Sequence, residues 1–367
     1  MIRLEKVTKH YGEVAVVDEL SFEIRRGEVC VIIGPSGCGK TTTLRMINRL
    51  TKPDAGRIFI NGKDTADIKV EQLRLSIGYA IQSVGLFPHM TVAGNIAVVP
   101  QLLHWEKPQI ARRIQELLEL VGLEPNEYAD KYPAQLSGGE AQRIGVARAL
   151  AVDPPIMLMD EPFGAVDPLT RERLQSQFVL IQQEIKKTIV LVTHDLDEAI
   201  RLADRIVIME NGRLIQHDTP EAILSRPKNK FVRDFIGADR ALKKLSRIKI
   251  TGFIKPAATV QLCQTPDEAG ILETAYRWFW VVDENRRLIG WLDKKSLVQY
   301  SSISEAMDRG TAEDIALPAN ATLRDALSRM LGLGFNFIPV INKEKRLIGE
   351  LSLGEIEAAI TQGEYDQ

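Results

Sequence analysis

The sequence predicts an α/β fold, an open sheet with functional loops at its strand ends, followed by a smaller α+β module. Three observations predict it. Val29 to Ile33 form a short apolar run that leads into Gly34-Pro35-Ser36-Gly37-Cys38-Gly39-Lys40-Thr41, the pattern of a buried strand emptying into a glycine-rich loop. Ile156 to Met159 form a second such run, and it delivers Asp160 and Glu161. In the last third, Phe279 to Gly290 and Ile338 to Gly349 repeat one another at a constant offset of 59 residues, which marks a duplicated supersecondary unit.

Each element follows from its residues. Thr42 to Leu50 can continue as a helix, so the loop sits between strand and helix with the helix N-terminus facing an anion. Glycines let successive backbone N–H groups turn inward on phosphates, while Lys40 adds charge to the outer phosphates and Thr41 a hydroxyl for Mg2+. The ligand implied is ATP, held by Gly34, Pro35, Ser36, Gly37, Cys38, Gly39, Lys40, Thr41 and Thr42. At the second strand end, where open α/β sheets place their ligands, Asp160 suits the magnesium and Glu161 the attacking water. His194 follows the strand-like run Ile189 to Thr193 and is aimed at the same sheet edge.

Tyr11, the loop Gly34 to Thr41, Gln82, Leu136-Ser137-Gly138-Gly139-Glu140 with Gln142 and Arg143, Asp160-Glu161, Asp167 and His194 occur in the order found in ATP-binding cassette (ABC) ATPases. Residues 1–237 resemble that family. The resemblance implies a P-loop nucleotide-binding domain, a RecA-like core plus antiparallel β and helical subdomains. It implies that Tyr11 stacks on adenine and that Gln82 links magnesium, shared with Thr41 and Asp160, to the transporter contact. Ser137 and Gly139, with Gly138 between them, would hold the γ-phosphate of the partner's ATP, Asp167 would tie two subunits together, and His194 would sense the γ-phosphate. Glu140 and Val166 stand where Gln and Leu are common, and neither touches the chemistry. A serine of one chain completing the site of another implies a homodimer closing head to tail around two nucleotides and reopening as γ-phosphate contacts are lost.

Composition bounds the load on this motor. With 367 residues, 45% of them hydrophobic, two or three domains with ample cores are expected. A net charge of -2 gives no reason to expect a nucleic-acid partner. No apolar run approaches the ~18 residues that span a bilayer, and Met1 to Glu5 lack a signal-peptide core. The chain is therefore expected to be soluble and peripheral, at the cytoplasmic face of the inner (plasma) membrane. Cys30, Cys38 and Cys263 form no metal or redox spacing, which fits a reducing compartment. Two transmembrane permease subunits and a solute-binding protein would then be separate chains. The resemblance implies that the permease subunits would be met through Gln82 to His89, where Leu86 and Phe87 stand beside Pro88 in a loop, a buried plug being the alternative.

After Gly237, the cations Arg240, Lys243, Lys244, Arg247, Lys249 and Lys255 run with no acid between them. This basic linker, 238–255, reads as a solvated face rather than an anionic-lipid contact. Residues 256–300 and 301–361 each read as strand, polar turn, strand, then helix, with earlier helices over Asp267 to Arg277 and Leu323 to Leu333. An acidic tail, 362–367, follows. The two copies resemble tandem CBS repeats, which implies a pseudo-two-fold module that often holds an adenine or signalling nucleotide. The second copy has Ser352 and Glu355 where such modules hold the ribose. The first is divergent, with Asp293 and Ser296 instead, and dimerisation alone is the alternative role of the pair. Trp278 and Trp280, near Tyr276 and Trp291, read as packing residues rather than an aromatic cage.

A cassette followed by CBS repeats resembles the ATPase subunit of importers for osmoprotectants such as glycine betaine, choline and carnitine. Ile77 to Gln82, Gly85 to His89, Val99-Pro100 and Met46 to Leu50 also look like that subfamily. An importer of another solute, such as an amino acid or proline, is the alternative. The resemblance implies that the CBS module gates transport by ionic strength or a signalling nucleotide. The basic stretch and the acids Glu355, Glu357, Glu364 and Asp366 are candidate salt levers, because exposed charge contacts weaken as the Debye length shrinks from about 10 Å at 0.1 M.

Overall fold

Along Val29–Ile33 the side chains of Val29, Val31 and Ile33 enter one hydrophobic core, while those of Cys30 and Ile32 enter another. A strand buried on both faces must be apolar throughout, which explains the unbroken run. The computed structural model that shows this describes residues 1–81, 85–164, 167–237, 239–267, 271–274, 276–298, 300, 302–308 and 315–365. It divides into two units, Met1–Gly237 and Ala238–Gln367.

The strands of the first unit are β1 (Ile2–Tyr11), β2 (Val14–Ile24), β3 (Val29–Ile33), β4 (Ala55–Ile60), β5 (Lys63–Asp64), β6 (Ile77–Ala80), β7 (Ile156–Asp160), β8 (Thr188–Val192), β9 (Arg205–Glu210) and β10 (Arg213–Asp218). They form an antiparallel sheet ordered β2-β1-β4-β5 and a second sheet ordered β10-β9-β3-β8-β7-β6. In the second, every pairing is parallel except that of β10 with β9. The carboxyl ends of β3, β6, β7 and β8 therefore share one edge, where the functional loops emerge. One face of this sheet packs on Ile2, Leu4, Val17, Leu20 and Ile58 of the antiparallel sheet. The other meets Ile96, Leu117, Leu118, Ile144 and Ala147 from the helices Val92–Leu102, Lys107–Leu120 and Gly138–Ala149.

The helix after the glycine loop runs from Lys40 to Ile47, earlier at both ends than Thr42 to Leu50. Arg49, at φ 50°, takes a left-handed conformation that a helix cannot continue through.

In the second unit, β11 (Thr259–Gln261), β12 (Trp278–Val282) and β13 (Leu288–Asp293) form one sheet, and β14 (Leu317–Pro318), β15 (Phe337–Ile341) and β16 (Leu347–Ser352) form another. Both have a parallel then an antiparallel pairing. Their turns match atom for atom. Asp283 Oδ1 accepts the N–H groups of Asn285 and Arg287 at 2.9 and 2.7 Å, and Asn342 Oδ1 those of Glu344 and Arg346 at 3.0 and 2.9 Å. Arg286 and Lys345 are left-handed in the two copies, at φ 61° and 63°.

The helices of the two copies do not match. Leu323–Leu333 forms as expected, its start fixed by a reciprocal cap between Thr322 and Asp325. Of the helix expected over Asp267 to Arg277, the described residues hold the 3-10 turn Ile271–Glu273, and residues 268–270 and 275 lie outside the described residues. Gly270, Thr274 and Tyr276 are weak helix formers. After β13 a 3-10 turn, Lys294–Val298, stands where a helix was expected.

The basic stretch is more than a connector. It contains the helix Arg240–Leu245 and the 3-10 turn Ile250–Gly252, and both Leu245 and Ile250 are fully buried with Trp280, Leu317 and Val340. Ile303 and Met307, at the start of the second copy, complete the core of the first with Phe279 and Val281. The tryptophans pack as expected: Trp278 lies 6.3 Å from both Phe335 and Phe337, and Trp280 5.7 Å from Phe337, measured between ring centres. Of the acidic tail, Asp366 lies outside the described residues.

Candidate functional site

Lys40 is the first residue of its helix, and its side chain folds back under the loop. Nζ donates to the carbonyls of Gly34 and Pro35 at 2.8 and 2.9 Å and is buried. The glycines are there for contact distance. A Cβ on Gly34 would lie 2.2 Å from Met209 O, and one on Gly39 2.4 Å from Val16 O, both forbidden by sterics. Pro35, Ser36 and Gly37 are exposed at the mouth of the loop, Cys38 is buried behind it, and Thr41 and Thr42 are half-buried. Burial pushes the Cys38 thiol up despite the nearby Lys40 ammonium, so it stays protonated.

Thr41 joins the loop to the neighbouring strand end. Its Oγ1 donates to Asp160 Oδ1 at 3.0 Å. Asp160 is only 4% exposed, and burial raises its carboxyl above the usual range, against the Thr41 hydrogen bond that lowers it. Such a carboxylate gains from a cation beside it. Among the described residues no three His, Cys, Asp or Glu side chains cluster as a metal cage. The buried Asp160 carboxyl beside the Thr41 hydroxyl is a donor set that suits Mg2+, which takes one or two protein oxygens and completes its shell with phosphates and water.

Glu161, just past the end of β7, has φ 46°, a left-handed conformation that turns its side chain away from the strand. Its N–H donates to Val192 O at 2.9 Å, which pins it to β8. There Oε1 lies 3.2 Å from His194 Nδ1, so the two strand ends deliver an acid and an imidazole to one spot. His194 itself is exposed, and the turn beneath it is held from below. Thr193 Oγ1 accepts the Asp195 N–H at 3.1 Å and donates to the buried Glu198 carboxylate.

Most of the remaining predicted residues sit at the ends of their own elements. Ser137 is the N-cap of Gly138–Ala149, its Oγ accepting the Glu140 N–H at 3.3 Å while Glu140 Oε2 accepts the Ser137 N–H at 2.7 Å. Gly138 and Gly139 form the first turn. The same helix reaches the catalytic edge through Gln142, whose Nε2 is 3.5 Å from Glu161 O. Asp167 caps Pro168–Ile185, accepting the Thr170 N–H at 3.1 Å. Tyr11 is 52% exposed at the end of β1, with Lys9 Nζ over its ring. Gln82 and Val166 lie outside the described residues. In the second unit Ser352 donates from Oγ and N to Glu355 Oε2, so that pair is brought together.

Three polar residues were not singled out from sequence: Glu198, beneath the His194 turn, and Asn95 and Arg148, which hold the turn after β6. Asn95 carried a signal, a lone amide between Val92 and Ile96 on an apolar helix face. Glu198 and Arg148 carried none, because an acid in a first turn and a cation in a last turn are ordinary helix residues.

A phosphate cradle, a buried Thr–Asp pair and an acid facing an imidazole on one sheet edge make up a nucleotide hydrolysis site, and comparison with known proteins agrees. The ABC transporter family profile matches residues 17–164, and the CBS domain profile matches residues 303–361. The carnitine transport ATP-binding protein OpuCA of Listeria monocytogenes is 46% identical over 95% of this chain and 89% of its own. The chain belongs to the ABC transporter family. It is an ABC ATPase akin to the ATP-binding subunits of osmoprotectant importers. The glycine betaine/carnitine/choline transport ATP-binding protein OpuCA of Bacillus subtilis is 44% identical over 95% of this chain and 93% of its own. Among solved structures, a dimeric post-hydrolysis state of the ATP-binding cassette MJ0796 bound to ADP and Pi superposes with a TM-score of 0.55. It is 34% identical and covers 60% of this chain and 99% of that one. Among the described residues, no helix of this ABC ATPase is long and apolar enough to cross a membrane.

Proposed function

We propose that this chain is the ATP-hydrolysing subunit of an importer for quaternary-amine osmoprotectants, glycine betaine, choline or carnitine. It would work as a homodimer beneath two permease subunits, served by a solute-binding protein, at the cytoplasmic face of the inner membrane. The observation that carries this reading is likeness over nearly the whole chain, cassette and repeats together, to relatives named for those solutes.

The chemistry follows from the site. Lys40 and the N–H groups of the glycine loop would hold the β- and γ-phosphates at the helix N-terminus. Mg2+, held by Thr41, Asp160 and the proposed ligand Gln82, would neutralise charge on the phosphates. Glu161 would orient the attacking water and take its proton, and His194, 3.2 Å away, would hold that carboxylate and contact the γ-phosphate. Tyr11 would stack on adenine. Ser137, Gly138 and Gly139 would close on the nucleotide of the second copy, whose Asp167 would meet this chain across the two-fold. Release of the γ-phosphate removes those contacts and reopens the dimer.

For the second unit, Ser352 and Glu355 would hold the ribose of an adenine or signalling nucleotide, which would set the transport rate. The deciding experiment is uptake of labelled glycine betaine, choline and carnitine by cells expressing the whole transporter, at low and high osmolarity. Glu161→Gln serves as the inactive control. Accumulation that rises with osmolarity and vanishes in the variant is expected. Intact ATP hydrolysis with none of the three imported moves the assignment to an amino-acid or proline importer.

A further inference from the structure

Phe87, Pro88 and His89 stand exposed on the turn beyond β6, and two side chains make that turn stiff. Asn95 is fully buried. Its Oδ1 accepts the Phe87 N–H at 2.7 Å, and its Nδ2 donates to the carbonyls of Phe87, Met90 and Thr91 at 3.2, 3.2 and 3.0 Å. One amide thus satisfies both polar groups of Phe87 and pins the chain on its far side. Arg148 holds the near side. Its Nη1 donates to Gly85 O at 2.6 Å, and its guanidinium carbon is 6.0 Å from the centre of the Phe87 ring. Gly85 has φ 58°, and a Cβ there would lie 2.5 Å from Ile81 Cδ1. The carbonyl that Arg148 grips is therefore presented by backbone that only glycine takes without strain.

Arg148 comes from the last turn of Gly138–Ala149, the helix whose N-cap is Ser137. Twelve residues make a rod of about 18 Å at 1.5 Å per residue. One end carries the serine proposed to meet the partner's ATP, and the other grips the exposed turn.

The geometry points to Arg148 as a coupling residue that passes the displacement of Ser137 on ATP to the Phe87–His89 turn, with Asn95 keeping that turn rigid. The inference rests on the proposed reading of this turn as the permease contact. A charge-assisted hydrogen bond to a backbone carbonyl suits the task, because it is strong, directional and tied to the chain itself rather than to a mobile side chain. Lysine keeps one donor and the charge but loses the planar fork that reaches Gly85 and Phe87 together.

The test compares wild type, Arg148→Ala and Arg148→Lys, each purified alone and assembled with the permease subunits and solute-binding protein in liposomes. ATP hydrolysis is measured in both states and uptake of labelled glycine betaine, choline and carnitine in the second. Arg148→Ala is expected to leave hydrolysis by the chain alone within about twofold and to cut solute imported per ATP by about 5- to 150-fold. Arg148→Lys should recover part of the loss. Failure of Arg148→Ala to assemble, with its own hydrolysis intact, supports the inference, since the contact turn is then misplaced. Equal falls in hydrolysis alone and assembled, or an unchanged ratio of solute to ATP, overturns it. Phe87→Ala gives a second reading at an exposed ring: added to Arg148→Ala it should cost little more, whereas full additivity of the two losses overturns a shared path. If the wild-type complex hydrolyses ATP and imports none of the three solutes, the solute assignment alone fails. Coupling is then read from the stimulation of hydrolysis by assembly.

Discussion

The two units of the chain treat their buried polar groups differently. In the first, Asp160 and Glu198 sit at the edge of the parallel sheet, and burial raises both carboxyls, that of Glu198 to about 7. Among the described residues, Glu198 Oε1 is buried with no hydrogen-bond partner. In the second, burial also raises Glu350, but the Trp280 indole donates to it at 2.7 Å, and Ser352 donates to Glu355. Partly satisfied groups are costly at rest and free to change partners, whereas satisfied ones fix a shape. On that ground the first unit is expected to exchange partners at its sheet edge and the second to hold its shape.

The largest expected effect tests the exchanging side. Glu161→Gln should lower ATP hydrolysis by about 10² to 10⁴ and leave nucleotide binding and melting temperature in place. Phosphate release and nucleotide titration check this, and surviving turnover would remove Glu161 as the base. On the other side, Leu245→Ala should cost the second unit about 2–5 kcal/mol. It should leave hydrolysis by the isolated chain near the wild-type rate. Calorimetry that showed both units losing stability equally would break the contrast.

A third prediction concerns pH. Glu198 is held at about 7 in the folded chain against 4.5 for the free group. Its contribution is therefore fully present below about pH 4.5 and is lost as pH rises through about 7, about 3 kcal/mol in all. His217, which burial pushes down to about 4, acts in the opposite sense as pH falls below 6.5. The difference between wild type and Glu198→Gln isolates the glutamate. Urea midpoints at pH 5 and pH 8 should differ less in the variant, and equal slopes would sink the assignment. The smallest effect is expected at Trp280→Phe, which leaves Glu350 without its donor at a cost of about 1–3 kcal/mol. Adding Glu350→Gln should recover part of that loss, measured in the same melts.

Much of the first unit was legible because its chemistry is local in sequence. Strands β3, β7 and β8 are apolar on both faces, so they stand out as runs. The residues that follow them, Lys40, Thr41, Asp160, Glu161 and His194, inherit their places from the strand ends. What sequence hides is partnership across distance. Arg148 and Gly85 meet 63 positions apart, and neither announces the other. In the second unit the repeat was legible over strands and turns, where Asp283 and Asn342 do the same work. Over the flanking helices the described residues part: Leu323–Leu333 is a helix, whereas Ile271–Glu273 and Lys294–Val298 are 3-10 turns. The basic stretch misled for another reason: its charges drew attention away from Leu245 and Ile250, the residues that anchor it.

Lys40 carries one more consequence. Its ammonium rests on two carbonyls of its own loop, so an arriving phosphate does not find a bare charge but must win it from occupants already in place. Nucleotide affinity at this site is then a difference between two sets of bonds rather than a sum of new ones. The lysine is a placeholder, and a variant that removes it should alter the empty loop as well as the filled one.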